Sequence, residues 1–349
     1  MLLLLSTVIP AMMKSKGAWH QPLTRWFWRK PASVVGIDLG TETLKVAEVI
    51  YRQQGPTLNA VGVVNLPEQI MRDGRIADGA LAAETLRNAL NSSGVTGKDA
   101  VAAVGGRSLF IREVYFPVMA QQELPEAVKW EIEKYLPGAT EQYYFDFAVA
   151  EPEKTGDRMK VLLVAAPRER VAALTKLLQD AGMRNWGIDV EPLAYLRTLD
   201  HGSNKLLVEI GSETSRMIAF HNNSPALHRL VSIGGRHLLQ GGNGRQYRLR
   251  SESAVNELAR EIHLTLEFFR NQGFELEMQD LLFAGGGASS NSFMEQLGHL
   301  LGGWQLQTQQ LPAALSVAFS LDKDALAAIT PQISAAVGLA LSAGLYYDN

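Results

Sequence analysis

"GIDLGTETLKVAEV", residues 36–49, is a strand-like run that meets an acid, Asp38, turns through Gly40, Thr41 and Thr43, and returns as a second alternating run. The pattern comes twice. "VEIGSETSRMIAF", residues 208–220, sets Glu209 against Asp38, Gly211 against Gly40, and Ser212 and Thr214 against Thr41 and Thr43. Self-similarity over this distance predicts two halves built on one plan.

The chemistry of such a tip is specific. Successive backbone N–H groups in a Gly/Ser/Thr turn form a concave anion site. Gly40 and Gly211 let the backbone approach phosphate without a Cβ in the way. An acid at each strand end would repel phosphate unless a cation stood between them. A magnesium ion held by Asp38 and Glu209 and shared with phosphate resolves that conflict, and Lys45 offers a point charge as the alternative. A single glycine hairpin would mean little, and its duplication is what gives it weight. A third piece follows in "LLFAGGGASSNSF", where a buried strand opens through Gly285, Gly286 and Gly287 into a helix, a turn able to approach a nucleoside or phosphate.

Composition sets the bounds. The 349 residues suggest about two domains, and 46% apolar with 20% charged residues is a globular balance. A net charge of −3 supplies no basic footprint for nucleic acid, and the absence of cysteine excludes disulfides and thiolate metal sites. Residues 1–32 read as a separate leader. Its apolar opening falls short of the roughly 20 residues of a spanning helix. Lys14, Lys16, Arg25, Arg29 and Lys30 among tryptophans then suit either a disordered leader or contact with an anionic membrane surface.

Alternation predicts strands from 33 to 64, and apolar spacing predicts helices over 77–94, 124–136, 168–182 and 251–269. "GIDVEPLAYLRTL" begins as a strand and becomes a helix, and "ISAAVGLALSAG" reads as a closing apolar helix. The seven histidines show no ligand spacing. Glu131 and Glu133 read as a solvated helix face, and no nucleophile–base pair is evident.

Two acid-x-Gly hairpins followed by a Gly-Gly-Gly turn resemble the ordered signature of the actin, Hsp70 and sugar-kinase superfamily. Within it the chain is similar to the PilM family of type IV pilus assembly, over about residues 33–349. "ELPEAVKWEIEKYLPGATEQYYFDFAVAE", "VLLVAAPRERVAALTKLLQDAGM", "SIGGRHL" and "AAVGLAL" carry the likeness in order. The resemblance implies an actin-like α/β fold with two duplicated core domains around a nucleotide cleft. The first core is expected at 33–105, 184–200 and 334–349, with a small α/β insert at 106–183; the second is expected at 201–333, with its own insert at about 232–280.

The resemblance also implies a function: an ATP-binding scaffold, with at most weak ATPase activity, that holds the cytoplasmic N-terminal segment of PilN. Such a scaffold would link the inner-membrane alignment complex to the cytoplasmic machinery, pilus assembly ATPases included. Self-association, twitching motility and competence belong to the same expectation, as does a cytoplasmic location peripheral to the inner membrane through the partner. Asp38, Gly40, Thr41 and Thr43 match the first phosphate loop, and Gly211, Ser212 and Thr214 the second. Gly285, Gly286 and Gly287 match the adenosine turn, with ATP and Mg²⁺ as the expected cofactors. Two positions depart from the family pattern: Glu209 stands where Asp is usual, and Arg216 where small or polar residues are commoner. The competing readings are an ATP-dependent small-molecule kinase of the same superfamily, the cell-division protein FtsA, and the cytoplasmic part of the secretion protein GspL.

Overall fold

A computed structural model describes residues 31–120, 122–149, 157–199, 204–240, 248–272 and 281–346. The leader expected at 1–32 falls almost wholly outside the described residues, as do His20 and His201.

The alternation after residue 33 folds as an antiparallel meander of β1 (Ser33–Leu39), β2 (Thr43–Arg52) and β3 (Gly55–Asn65). Asp78 caps α1 (Gly79–Ser92), its carboxylate accepting the Leu81 N–H at 2.9 Å. β4 (Asp99–Val104) then returns parallel to β1. β5 (Phe110–Pro117), α2 (Leu124–Glu133), β6 (Tyr143–Val149) and β7 (Arg158–Pro167) make a unit of their own, a sheet in the order β5-β7-β6 with α2 on one face. Its core holds Leu124, Val128 and Ile132 from the helix against Val161 and Leu163. α3 (Arg168–Asp180) leads to β8 (Arg184–Val190), parallel to β4, and α4 (Glu191–Leu196) follows directly.

The plan then restarts. β9 (Lys205–Ile210), β10 (Ser215–His221) and β11 (Ser224–Val231) form a second meander, followed by α5 (Glu252–Asn271). β12 (Leu281–Ala284) runs parallel to β9. After α6 (Asn291–Leu300), β13 (Gln307–Thr308) pairs parallel to β12. The two sheets therefore share one topology, β8-β4-β1-β2-β3 and β13-β12-β9-β10-β11. The first gains an edge from β14 (Ser316–Val317), parallel to β3.

α7 (Lys323–Ala340) closes the described fold. It begins ten residues before the helix read in the sequence, because Asp322 caps it by accepting the Ala325 N–H at 2.7 Å. Pro331 lies inside it, which an isolated helix resists. Here the Pro331 carbonyl accepts the N–H of Gly285 at 2.7 Å, tying the helix to the glycine turn. α7 is long and apolar enough to cross a membrane, yet 67% of that apolar window is buried inside the protein. It presses so closely on β1 that a Cβ at Gly36 would come within 1.9 Å of the Ala336 carbonyl oxygen. α3, which the sequence places in the insert, turns Val171, Leu174, Leu177 and Leu178 into the core of the first sheet, beside α1.

Candidate functional site

In each hairpin the acid is the penultimate residue of its strand, directly opposite a cation. Asp38 faces Lys45 across β1 and β2, with Nζ 3.1 Å from Oδ2. Glu209 faces Arg216 across β9 and β10, with Nη1 2.9 Å from Oε2. The turns close alike: the N–H of Gly40 donates to the Thr43 carbonyl at 3.0 Å, and that of Gly211 to the Thr214 carbonyl at 3.1 Å. Lys45 Nζ lies over the first turn, where a Cβ at Gly40 would meet it at 3.0 Å. Ser212 Oγ, on the second turn, is buried with no hydrogen-bond partner among the described residues. Such an unmet hydroxyl suits a ligand oxygen. Thr41, Thr43 and Thr214 are half-buried at the hairpin tips.

The glycine turn meets the second hairpin. Gly285 has φ +85°, a backbone region that disfavours side chains, and a Cβ there would come 2.4 Å from the Ile210 carbonyl oxygen and 2.9 Å from Glu209 Oε1. At Gly287 a Cβ would strike the Ile210 side chain at 2.3 Å, whereas at Gly286 it would point into open space. The first hairpin reaches the same place electrostatically, since Asp38 and Lys45 both act on Glu209. The three pieces read from the sequence thus converge.

The structure adds residues that sequence reasoning passed over. Glu191 opens α4 and is buried, with Arg216 Nε 3.1 Å from its Oε2. Gly105 leaves room for it, as a Cβ there would come 1.9 Å from the carboxyl carbon. Burial pushes the Glu191 carboxyl up to about 7, with Asp38 and Glu209 raising it further and Arg216 and Lys45 opposing them. Burial likewise raises Glu209, against the pull of Arg216. For Arg216 burial disfavours the charge, but Glu191 and Glu209 outweigh it and hold the guanidinium protonated. The Tyr195 hydroxyl, buried next to this group, is held far above its usual range. His228, on β11, is driven down to about 4 by burial and by Arg216, and so stays neutral.

At the mouth, Arg236 Nε pairs with Glu42 at the tip of the first hairpin, and Nη1 reaches Glu213 Oε1 at the tip of the second at 3.4 Å. A cavity of about 390 Å³ opens beside it, lined by Arg236, His237, Arg250, Ser251 and Ala254 at the start of α5. Two guanidiniums, an imidazole and a helix N-terminus make this wall attractive to anions. The acid–cation spacing in each hairpin was a signal present in the sequence. Glu191 had only its place at a strand-to-helix junction.

As a magnesium site the acids fit poorly, since Glu191 and Glu209 share one guanidinium and Asp38 holds Lys45. Among the described residues no group of three or more His, Asp or Glu is placed to hold a metal ion.

A family model described as type IV pilus assembly protein PilM matches residues 36–257. Cell division protein FtsA of Bacillus subtilis (strain 168) is 22% identical over 232 residues, covering 58% of this chain and 52% of that protein. FtsA of Streptococcus pneumoniae serotype 2 is 21% identical over 228 residues, 57% of this chain and 50% of that one. The chain spans about half the length of the curated relatives it matches. A solved PilM-PilN type IV pilus biogenesis complex superposes with a TM-score of 0.76 at 25% identity, over 90% of this chain and 99% of that one. The ethanolamine utilization protein EutJ of Carboxydothermus hydrogenoformans has the same fold, with a TM-score of 0.51 at 16% identity over 89% and 90% of the two chains.

Proposed function

This chain belongs to the PilM family of type IV pilus assembly proteins and has its actin-like fold, and from that premise we propose that it is an ATP-binding scaffold that grips the N-terminal cytoplasmic segment of PilN. The observation that carries the nucleotide half is the meeting of the Gly40 turn, the Gly211 turn and the Gly285–Gly287 turn around one charged cleft, with Ser212 Oγ unpartnered among the described residues and Gly286 open. Phosphates would lie against the two hairpin tips, and the base against the glycine turn. ATP is the occupant in this reading.

The partner half is supported by the likeness to a solved PilM-PilN complex over nine-tenths of this chain. An extended segment seated between the inserted sheet and the first core would gain main-chain hydrogen bonds and pockets for alternate side chains. Held in this way by a membrane-anchored partner, the chain would sit in the cytoplasm against the inner membrane. Nothing in the fold favours the kinase alternative. A kinase would need a free base for a substrate hydroxyl, whereas Asp38 is paired with Lys45, and Glu191 and Glu209 are both paired with Arg216.

Calorimetric titration of a synthetic PilN N-terminal segment into the full chain tests the partner half, and saturable one-to-one binding is expected. Fractionation of cells adds a second arm: the chain should follow the inner membrane when PilN is present and become soluble when PilN is deleted. Absence of peptide binding, with unchanged fractionation, would overturn the reading.

A further inference from the structure

The two hairpins repeat more than glycine and hydroxyl. Lys45 and Arg216 hold the same register position, each directly across the ladder from its acid. The repeated unit is therefore acid, glycine, hydroxyl, cation, and each half carries its own counter-charge.

The two cations differ in what they do. Lys45 forms its ion pair with Asp38, the two side chains being 12% and 11% exposed. Arg216 bridges two acids that come from different elements, Glu209 on β9 and Glu191 at the head of α4. A divalent ion in this cleft would need the oxygens of these same acids, directly or through water. Mg²⁺ takes a near-octahedral oxygen shell at roughly 2.1 Å and gives up its water reluctantly. A guanidinium 2.9 Å from one carboxylate and 3.1 Å from the other fills the place between them and repels a second cation. The Nε of Arg216 is close to Glu191 but not aligned on it, and has no other acceptor among the described residues. That donor stays 3.1 Å from the Glu191 carboxylate, and an incoming phosphate oxygen would compete for it.

We propose that Arg216 takes the place of a divalent cation in this cleft, so that the chain meets the phosphates of a nucleoside triphosphate with Arg216 and Lys45 in place of a metal. This rests on the nucleotide reading above. Guanidinium and ammonium donors make charge-assisted hydrogen bonds to phosphate, and the backbone N–H groups of the two turns complete the anion site. Free triphosphate and its magnesium complex should therefore bind alike.

The test uses the full chain. ATP is titrated calorimetrically in excess Mg²⁺ and in EDTA, and Mn²⁺ without nucleotide is followed by electron paramagnetic resonance. The same measurements are made on Arg216→Ser, which frees both acids, and on Arg216→Lys, which keeps a charge there. For the unaltered chain, ATP affinity should agree within about twofold in the two buffers, and Mn²⁺ should show no bound signal. Arg216→Ser should gain bound Mn²⁺, and EDTA should weaken its ATP binding by about tenfold or more. Arg216→Lys should follow the unaltered chain. Loss of ATP binding by the unaltered chain in EDTA, or bound Mn²⁺ on it, overturns the proposal even if Arg216→Ser fails to fold. If ATP binds in neither buffer, the nucleotide reading fails, and manganese alone decides this one: bound ion on Arg216→Ser only supports it, and any other pattern overturns it.

Discussion

Glu42 and Glu213 hold the same position in the two hairpins and share one partner, Arg236, which spans the mouth of the cleft between them. The three side chains are nearly half exposed, and exposed ion pairs add well under about 1 kcal/mol to stability. Arg236→Ala should therefore leave the melting temperature almost unchanged. Arg236 also lines the anion-attracting cavity, so ATP affinity should fall by about tenfold, the usual worth of one charge-assisted contact. Fluorescence titration with an ATP analogue, beside a thermal melt, separates the two effects.

Gly285 and Gly286 are neighbours with opposite expected outcomes. Gly285→Ala puts a Cβ against the Ile210 carbonyl at a backbone angle of φ +85°. Strain of that kind costs about 1–3 kcal/mol before the clash is counted. Gly286→Asp places its side chain in open space, so the protein should melt normally while losing ATP, because an unpaired carboxylate lines the adenosine wall. A Gly286→Asp protein that still binds ATP would show that the base lies elsewhere.

Two buried groups give opposing pH dependences. The Glu191 carboxyl, raised to about 7 from an ordinary 4.5, binds its proton more tightly when folded. Its contribution to stability is full below pH 4.5 and is lost as pH rises towards 7. His228, lowered to about 4 from 6.5, contributes above pH 6.5 and loses that contribution as pH falls towards 4. Over the shared window His228 opposes Glu191 and the likewise raised Glu209, so urea-derived stability of the unaltered chain should vary less with pH than that of a variant lacking either Glu191 or His228. Glu191→Gln should leave stability rising with pH there, and His228→Gln should leave it falling. A flat profile in both variants would mean that neither shift exists.

Glu48 is a fully buried acid on β2 whose partners are neutral donors: Asn59 Nδ2 at 2.9 Å, the Gly97 N–H at 2.7 Å and Thr96 Oγ1 at 3.2 Å. It ties β2 to the segment that leads into β4. Glu48→Ala should cost about 3 kcal/mol or more, because several buried donors lose their acceptor together. Glu48→Gln, which keeps one carbonyl oxygen, should cost roughly half as much. Chemical denaturation measures both.

The hairpins were legible because each is a local unit: alternation on either side of an acid, a glycine and hydroxyls within a few residues fixes the turn. The glycine turn was legible for the same reason. Glu191 was not, because its meaning depends on Arg216 from the other half and on Gly105 leaving space, relations that no local window contains. Pro331 hid the true start of α7 because its carbonyl is bonded by Gly285, a contact made only in the finished fold. Glu48 carries no local signal of its role, because its partners Gly97 and Thr96 come from a segment nearly fifty residues on. Arg216 was read as a departure from a family pattern. Its position opposite Glu209 shows it to be the counterpart of Lys45.

The close seating of α7 on β1 bears on how the chain is made. Tyr51 donates its hydroxyl to the Ala340 carbonyl at 2.7 Å across a separation of 289 residues, and Ala47, Val49 and Leu58 share a core with Leu326, Ile333 and Ala336. One apolar face of the first sheet therefore has no cover until α7, some 270 residues further along the chain, has left the ribosome. Synthesis at about 5–20 residues per second leaves that face bare for tens of seconds. Contacts so distant in sequence also form slowly, since a long loop must close before they repay it. Nascent molecules of this protein should be clients of holding chaperones, and ribosomes stalled before the codons for α7 should carry chains that aggregate.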